Sequence, residues 1–172
     1  VGKDGRAVVI LDFVRGAGLQ NIPAFVMGPN GNPTGTNADV ESFNNDQAHL
    51  TQAYYEHANG PAAVTVGQLD ITGYMDANEF ANNERAQFLA NVFVNNPAVE
   101  FGGSADFYSP GLRLTLTPVE ETLDFTVAAF EGDGDYVNTF DNPFYMAEID
   151  LKVKPNGREG NYRVFYWNRQ GS

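Results

Sequence analysis

Apolar and polar residues alternate one by one over long stretches of this chain, and no other feature constrains its fold as strongly. Neighbouring side chains on an extended strand point to opposite faces, so strict alternation builds a sheet with one apolar and one polar side. The clearest stretch is 144–154, where Tyr145, Ala147, Ile149, Leu151 and Val153 alternate with Met146, Glu148, Asp150, Lys152 and Lys154. Its length suits a tilted membrane strand of about ten residues. Pro155-Asn156-Gly157 and Gly160-Asn161 mark a tight turn, after which Tyr162, Val164 and Tyr166 alternate with Arg163, Phe165, Trp167 and Arg169. The two stretches make a hairpin.

A second hairpin precedes it. Leu112, Leu114 and Leu116 alternate with Arg113, Thr115 and Thr117, residues 118–121 turn, and Leu123, Phe125 and Val127 alternate with Asp124, Thr126 and Ala128. Between the hairpins lies a longer acidic loop, Glu131-Gly132-Asp133-Gly134-Asp135 and then 136–142. Short and long connections thus alternate, as they do in outer-membrane barrels. Further strands are expected at 48–57 and 63–71, joined by Asn59-Gly60-Pro61, and at 5–16, where Val9, Leu11 and Phe13 share a parity that Val8 and Ile10 blur. The total is about seven. Residues 19–47, rich in Asn, Gly and Pro, predict a long irregular loop. The exception is 76–96, where Phe80, Arg85, Phe88, Leu89, Val92 and Phe93 form a rough helical stripe that Asp76 or Asn78 is placed to cap. The expectation is an antiparallel all-β fold with one short helix in a long loop. With no internal repeat or linker, 1–172 reads as a single domain.

Composition narrows the function. The chain has no cysteine, which removes disulfides, thiolate metal sites and a cysteine nucleophile. No apolar run approaches the ~20 residues of a membrane helix, so any crossing must use strands. Val1 follows no initiator methionine, basic region or apolar leader, which fits a processed or truncated start. With 22 acidic against 10 basic residues and a net charge of -12, there is no Lys/Arg stripe to neutralise phosphates, so a nucleic-acid partner is not expected.

One series of motifs is more specific. Val66-Gly67-Gln68-Leu69-Asp70 is followed by Tyr74-Met75-Asp76-Ala77-Asn78-Glu79-Phe80-Ala81-Asn82-Asn83-Glu84, then Gln87-Phe88-Leu89 and Val94-Asn95-Asn96-Pro97-Ala98. Downstream come Pro110-Gly111-Leu112, Phe130-Glu131-Gly132-Asp133-Gly134 and Gly160-Asn161-Tyr162-Arg163 with Trp167. Between residues 52 and 167 the chain resembles the carbohydrate-selective porins, the OprB-type outer-membrane channels. It departs from their pattern at Gln68, where lysine is expected, and at Asn83, where aspartate is expected. The residues before Gln47 carry no part of the likeness. The resemblance implies a barrel of roughly sixteen strands, of which this chain holds under half, with a polar pore that passes glucose and other sugars.

The residues offer matching chemistry. A sugar channel needs paired hydrogen-bond donors for vicinal hydroxyls and aromatic faces for the apolar side of the ring, held weakly enough for release. Arg163, Trp167 and Arg169 share one parity, and Glu148, Asp150 and Lys152 occupy the charged side of the neighbouring strand; all six are expected to line the pore. Asp76, Asn78, Glu79, Asn82, Glu84 and Gln87 are expected to form a constriction loop that folds inward. No cofactor is implied. His49 and His57 have no His or Cys partners, and the acidic loop 131–142 lacks EF-hand spacing, so no metal site is assigned. No triad, phosphate loop or carboxylate pair placed across a scissile bond marks an enzyme. The expected function is passive, selective diffusion of sugars across a bacterial outer membrane, with sugars and membrane lipid as partners. Alternation alone fits a soluble carbohydrate-binding β-sandwich equally well. The two differ in where the apolar parity goes: to lipid in one, to a second sheet in the other.

Overall fold

The computed structural model describes residues 5–13, 48–76, 78, 80–82, 87, 96, 99, 108–132, 137–138, 140 and 141–169. Seven strands form one antiparallel sheet in chain order: β1 (Gly5–Phe13), β2 (Ala48–Asn59), β3 (Ala62–Asp70), β4 (Tyr108–Val119), β5 (Leu123–Glu131), β6 (Pro143–Val153) and β7 (Gly160–Arg169). The expected strand count and meander are both present. Three short turns join β2 to β3, β4 to β5 and β6 to β7 at one end, and the long connections lie at the other. In the last turn Asn156 (φ 54°) and Gly157 (φ 77°) take left-handed conformations, the geometry for which an Asn-Gly pair is suited.

Register sorts the side chains into two faces. One inner row runs Val8, Tyr54, Gly67, Gly111, Phe130, Phe144, Arg169, each opposite the next. The adjacent row is Arg6, Glu56, Thr65, Arg113, Ala128, Met146, Trp167. Outer positions carry Val9, Leu11, Tyr55, Val66, Leu112, Leu114, Leu116, Phe125, Val127, Tyr145, Ile149, Leu151, Tyr162, Val164 and Tyr166, all exposed. The buried residues are therefore on the polar side and the large apolar ones are in the open, the reverse of a water-soluble sheet.

What buries the inner face is the connection after β3. Leu69, Ile71, Met75 and Val99 cluster with Ala128, Phe130, Phe144 and Met146, and Tyr54, Tyr74, Phe165 and Trp167 pack around them. Glycine at 67 and 111 leaves room for this: a Cβ at Gly111 would strike the Phe130 ring, and Gly67 sits at φ 134° against the backbone of Ala53 and Tyr54. A helix of four residues, α1 (Ile71–Tyr74), begins the connection.

This helix precedes the stretch where the apolar stripe predicts one. Asp70 is its cap, accepting from the Gly73 N–H (3.1 Å) and the Thr72 hydroxyl (2.8 Å). Asp76 takes φ 57°, which ends helical progress, and the Asn78 side-chain oxygen accepts from the N–H groups of Phe80 (3.1 Å) and Ala81 (2.5 Å). That local bonding competes with a helix where the stripe predicted one. Most of 76–96 beyond these residues, and the expected loop at 19–47, lie outside the described residues. A β-bulge also sits where β1 meets β2: the pairing shifts between Ile10 and Leu11, leaving Thr51 unpaired. Gln68 Nε2 donates to the carbonyls of Leu50 (3.0 Å) and Thr51 (3.1 Å) there, so the residue that replaces the expected lysine completes the backbone hydrogen bonding.

Phe130 is fully buried between Gly111 and the cluster. Phe130→Ala is expected to cost about 3–5 kcal/mol in a denaturant titration, against under about 1.5 kcal/mol for Phe130→Leu, which preserves more of the volume.

Candidate functional site

The inner face between β1 and β7 carries charged and hydroxyl side chains beside the apolar cluster covered by the strap that begins at α1. Two strings of charge run along it. In the first, Arg6 Nε lies 3.0 Å from Glu56 Oε1, and the Thr65 hydroxyl donates to Glu56 Oε2 at 3.2 Å. In the second, Thr117 (2.6 Å) and Lys152 (2.7 Å) donate to the Asp124 carboxylate, and Asp150 stands 3.4 Å from Arg163 Nε and 3.9 Å from Lys152 Nζ. Thr115 and Thr126 share a hydroxyl hydrogen bond at 3.0 Å between the strings. Such ladders arise because antiparallel register sets side chains of the same face directly opposite one another.

Asp76 joins the strap to the sheet and to a later part of the strap itself. Glu148 Oε2 accepts from the Asp76 N–H at 3.2 Å, and Asp76 Oδ2 accepts from the Asn96 N–H at 2.5 Å. Tyr74 meets Tyr54 edge-on with ring centroids 5.8 Å apart, and its face carries the Arg113 guanidinium at 4.8 Å. Burial, and after it the hydrogen bond with Tyr54, holds the Tyr74 phenol above its ordinary range, so it stays neutral at any physiological pH.

Of the pore-lining residues expected from the sequence, Arg163, Trp167 and Arg169 lie on the same face of β7 as Phe165, and they pair with Asp150, Met146 and Phe144. Glu148, Asp150 and Lys152 share that face on β6. Trp167 is less open than expected: it packs on the apolar cluster and tilts against Phe165 at 5.7 Å. Lys154 leaves the strand and pairs with Glu159 at 3.0 Å. Within the constriction loop, Asp76 is buried and makes the contacts above, Asn78 organises a local turn, and Gln87 accepts from the Asn82 N–H at 2.9 Å. Glu79, Glu84, Asp133 and Asp135 lie outside the described residues. Arg6, Tyr54, Glu56, Tyr74 and Arg113 belong to the same surface but were not among the expected site residues. For Arg113 the signal was available, since it is the charged member of the polar parity of β4.

A meander of long strands with an exposed apolar outer face, a hydrogen-bonded charged inner face and a connection folded onto that inner face is the wall of a β-barrel porin. The fold agrees with a solved structure of Pseudomonas putida OprB at a TM-score of 0.55, over 73% of this chain and 32% of that one, with 19% identity. The chain belongs to the carbohydrate-selective porin, OprB family, which matches residues 20–171. An uncharacterized protein of Aquifex aeolicus (strain VF5) is 32% identical over 105 residues, which are 61% of this chain and 32% of that protein. The chain thus spans about a third of the length of each relative.

Asp76 provides a test of the strap. Burial raises its carboxyl above the usual range, while the Asn96 N–H and the charge of Arg163 oppose that shift. A carboxyl raised on folding stabilises the folded form fully below its unfolded value, and that contribution is lost as pH rises through the folded value. The strap is therefore seated more firmly in mild acid than at neutral pH. Asp76→Asn keeps an acceptor for Asn96 and removes the ionisation. Limited proteolysis, corrected for protease activity, is expected to show slower cleavage of the strap at neutral pH in the variant and a flatter profile between about pH 4 and 7.

Proposed function

We propose that this chain forms part of the wall of an outer-membrane channel through which sugars diffuse passively and selectively. The observation that carries the reading is the inversion of the two faces. Val164 is 72% exposed and Val9 67% on the outer side, while Asp150 and Thr65 are buried on the inner side. Among the described residues nothing covers the apolar face, as a second sheet would in a soluble sandwich. Hydrocarbon suits that face, and the unbroken run of strand pairings from β1 to β7 suits strands in a medium that cannot solvate backbone.

The inner face supplies what a passing sugar needs. Arg163 and Arg169 bring planar donors, Glu148 and Asp150 bring acceptors, and the half-buried Trp167 brings an indole. The strap over β4 to β6 narrows the passage, and its hydrogen bonds to Glu148 and from Asn96 fix its height. Nothing in this arrangement requires a chemical step: exchange of water for protein hydrogen bonds, weak enough to reverse, suffices for transport.

Two experiments bear on this reading. In liposome swelling with the full-length protein, Arg163→Ala and Trp167→Ala are expected to change the relative rates for different sugars while the barrel still inserts; unchanged selectivity in both would make these residues ordinary wall. The outer face is tested separately at Leu114, which lies opposite Val127 in mid-strand. Leu114→Arg is expected to lower the free energy of folding into lipid vesicles by about 2–4 kcal/mol, whereas Thr115→Arg on the inner face costs much less.

A further inference from the structure

Two Asn-Gly pairs stand at short turns of the sheet, Asn59-Gly60 between β2 and β3 and Asn156-Gly157 between β6 and β7; a third, Asn30-Gly31, lies outside the described residues. Both turn asparagines are exposed, and no atom beyond the chain neighbours lies within 4 Å of where a Cβ on Gly60 or Gly157 would stand. An asparagine followed by glycine carries its own chemistry. The glycine nitrogen is a nucleophile within reach of the asparagine side-chain amide, and without a Cβ nothing crowds its approach. What differs between the two pairs is the state of that nitrogen.

In the β6–β7 turn the Gly157 N–H donates to the Lys154 carbonyl at 3.2 Å, and the next N–H, that of Arg158, donates to the Pro155 carbonyl at 3.1 Å. Asn156 is held between these bonds at φ 54° and ψ 31°. Attack by the Gly157 nitrogen requires it to lose its proton and turn towards the Asn156 side chain, which breaks the first bond. In the β2–β3 turn Asn59 pairs with Ala62, and Gly60, at φ 58°, and Pro61 form the loop. Among the described residues nothing accepts from the Gly60 N–H, and nothing bonds the Asn59 side chain. There both the attacking nitrogen and the amide it attacks are held by no hydrogen bond.

We propose that Asn59 is a site of spontaneous covalent modification, and that Asn156, with the same neighbour in sequence, is protected by its turn. The Gly60 nitrogen, its proton lost to solvent base, forms a bond to Asn59 Cγ; the Cγ–Nδ2 bond breaks and the amide leaves as ammonia, closing a succinimide. Water then adds to one of the two ring carbonyls and breaks its bond to the Gly60 nitrogen. Opening at Cγ gives aspartate, and opening at the main-chain carbonyl gives isoaspartate, in which the backbone runs through the side-chain methylene. In sum water is consumed and ammonia released, with no change of oxidation state. Either product sets a new carboxylate at this turn, and isoaspartate also lengthens the main chain at the last rung of the β2–β3 ladder, where Asn59 stands opposite Ala62. The loop keeps its fastening to β4, because the Thr117 N–H donates to the Pro61 carbonyl at 2.7 Å.

The test is to incubate the full-length protein at mildly alkaline pH in oxygen-18 water, once folded in lipid vesicles and once in concentrated denaturant, and to follow the peptides holding Asn59 and Asn156 by mass spectrometry. Isoaspartate is counted separately with an isoaspartyl methyltransferase. In denaturant, where neither turn exists, the two asparagines are expected to convert at rates within about threefold of each other. In the folded protein Asn59 is expected to convert about tenfold faster than Asn156, the factor that one retained hydrogen bond contributes. The Asn59 rate should rise with pH, because the attacking nitrogen must first lose its proton, and the product should hold both isoaspartate and aspartate with oxygen-18 in each. Asn59→Gln, whose longer side chain closes a ring less readily, should leave that peptide unmodified over the same time. Equal rates at Asn59 and Asn156 in the folded protein overturn the proposal, as does an Asn59 that stays intact when folded yet converts in denaturant. Aspartate without isoaspartate at Asn59 overturns it too, since direct hydrolysis of the side chain would then be the route.

Discussion

Register is the constraint on which this wall depends. Each strand alternates its side chains with a period of two, so a slip of one residue against a neighbour would carry Leu112, Leu114 and Leu116 inward and Arg113 outward. The inner and outer rows exist because six successive pairings keep step from β1 to β7. Step is lost at two places, near the β4–β5 turn between Leu116 and Val119 and at Thr51 in β2, and at Thr51 the sequence supplies a local remedy: the Gln68 amide takes up two carbonyls beside the bulge. Backbone satisfaction and face segregation are thus one requirement seen from two sides.

The inner face is polar without being permissive. A large part of it is closed by Ile71, Met75 and Val99 settling on Phe130, Phe144 and Met146, so the aqueous surface is reduced to the charged strings and the strip beside α1. The pairing of Glu56, Asp124 and Asp150 within the wall also means that most of the net charge of -12 is carried by turns and connections, Glu120, Glu121 and Glu159 among them.

Much of this was legible in the sequence, and the reason is locality. The strands announced themselves because alternation is written residue by residue, and the β6–β7 turn because Asn156-Gly157 tolerates left-handed backbone. The inner-face parity of β6 and β7 follows from the same rule. The strap was legible only as a cluster of polar residues. Its anchors are Ile71, Met75 and Val99, which share no period, and Asp76 reaches Asn96 and Glu148 through contacts that no local pattern encodes. A stripe of apolar residues says nothing about Asn78 accepting from Phe80 and Ala81, the turn found at the start of that stretch. Arg113 was visible as a charge among threonines, but its contact with the ring of Tyr74, a residue from another element, was not.

The reach of the strap has a mechanical consequence. Tyr74 touches Tyr54 on β2 and Arg113 on β4, while Asp76, two residues later, is bonded to Glu148 on β6. These contacts tie β2, β4 and β6 to one short segment, although β2 and β6 stand four strand spacings apart, about 19 Å along a flat sheet. Spreading those strands apart would stretch the segment, which its apolar anchors and hydrogen bonds resist. Lateral pressure from a bilayer acts to deform a thin wall of strands, and an internal tie of this kind stiffens the wall against it.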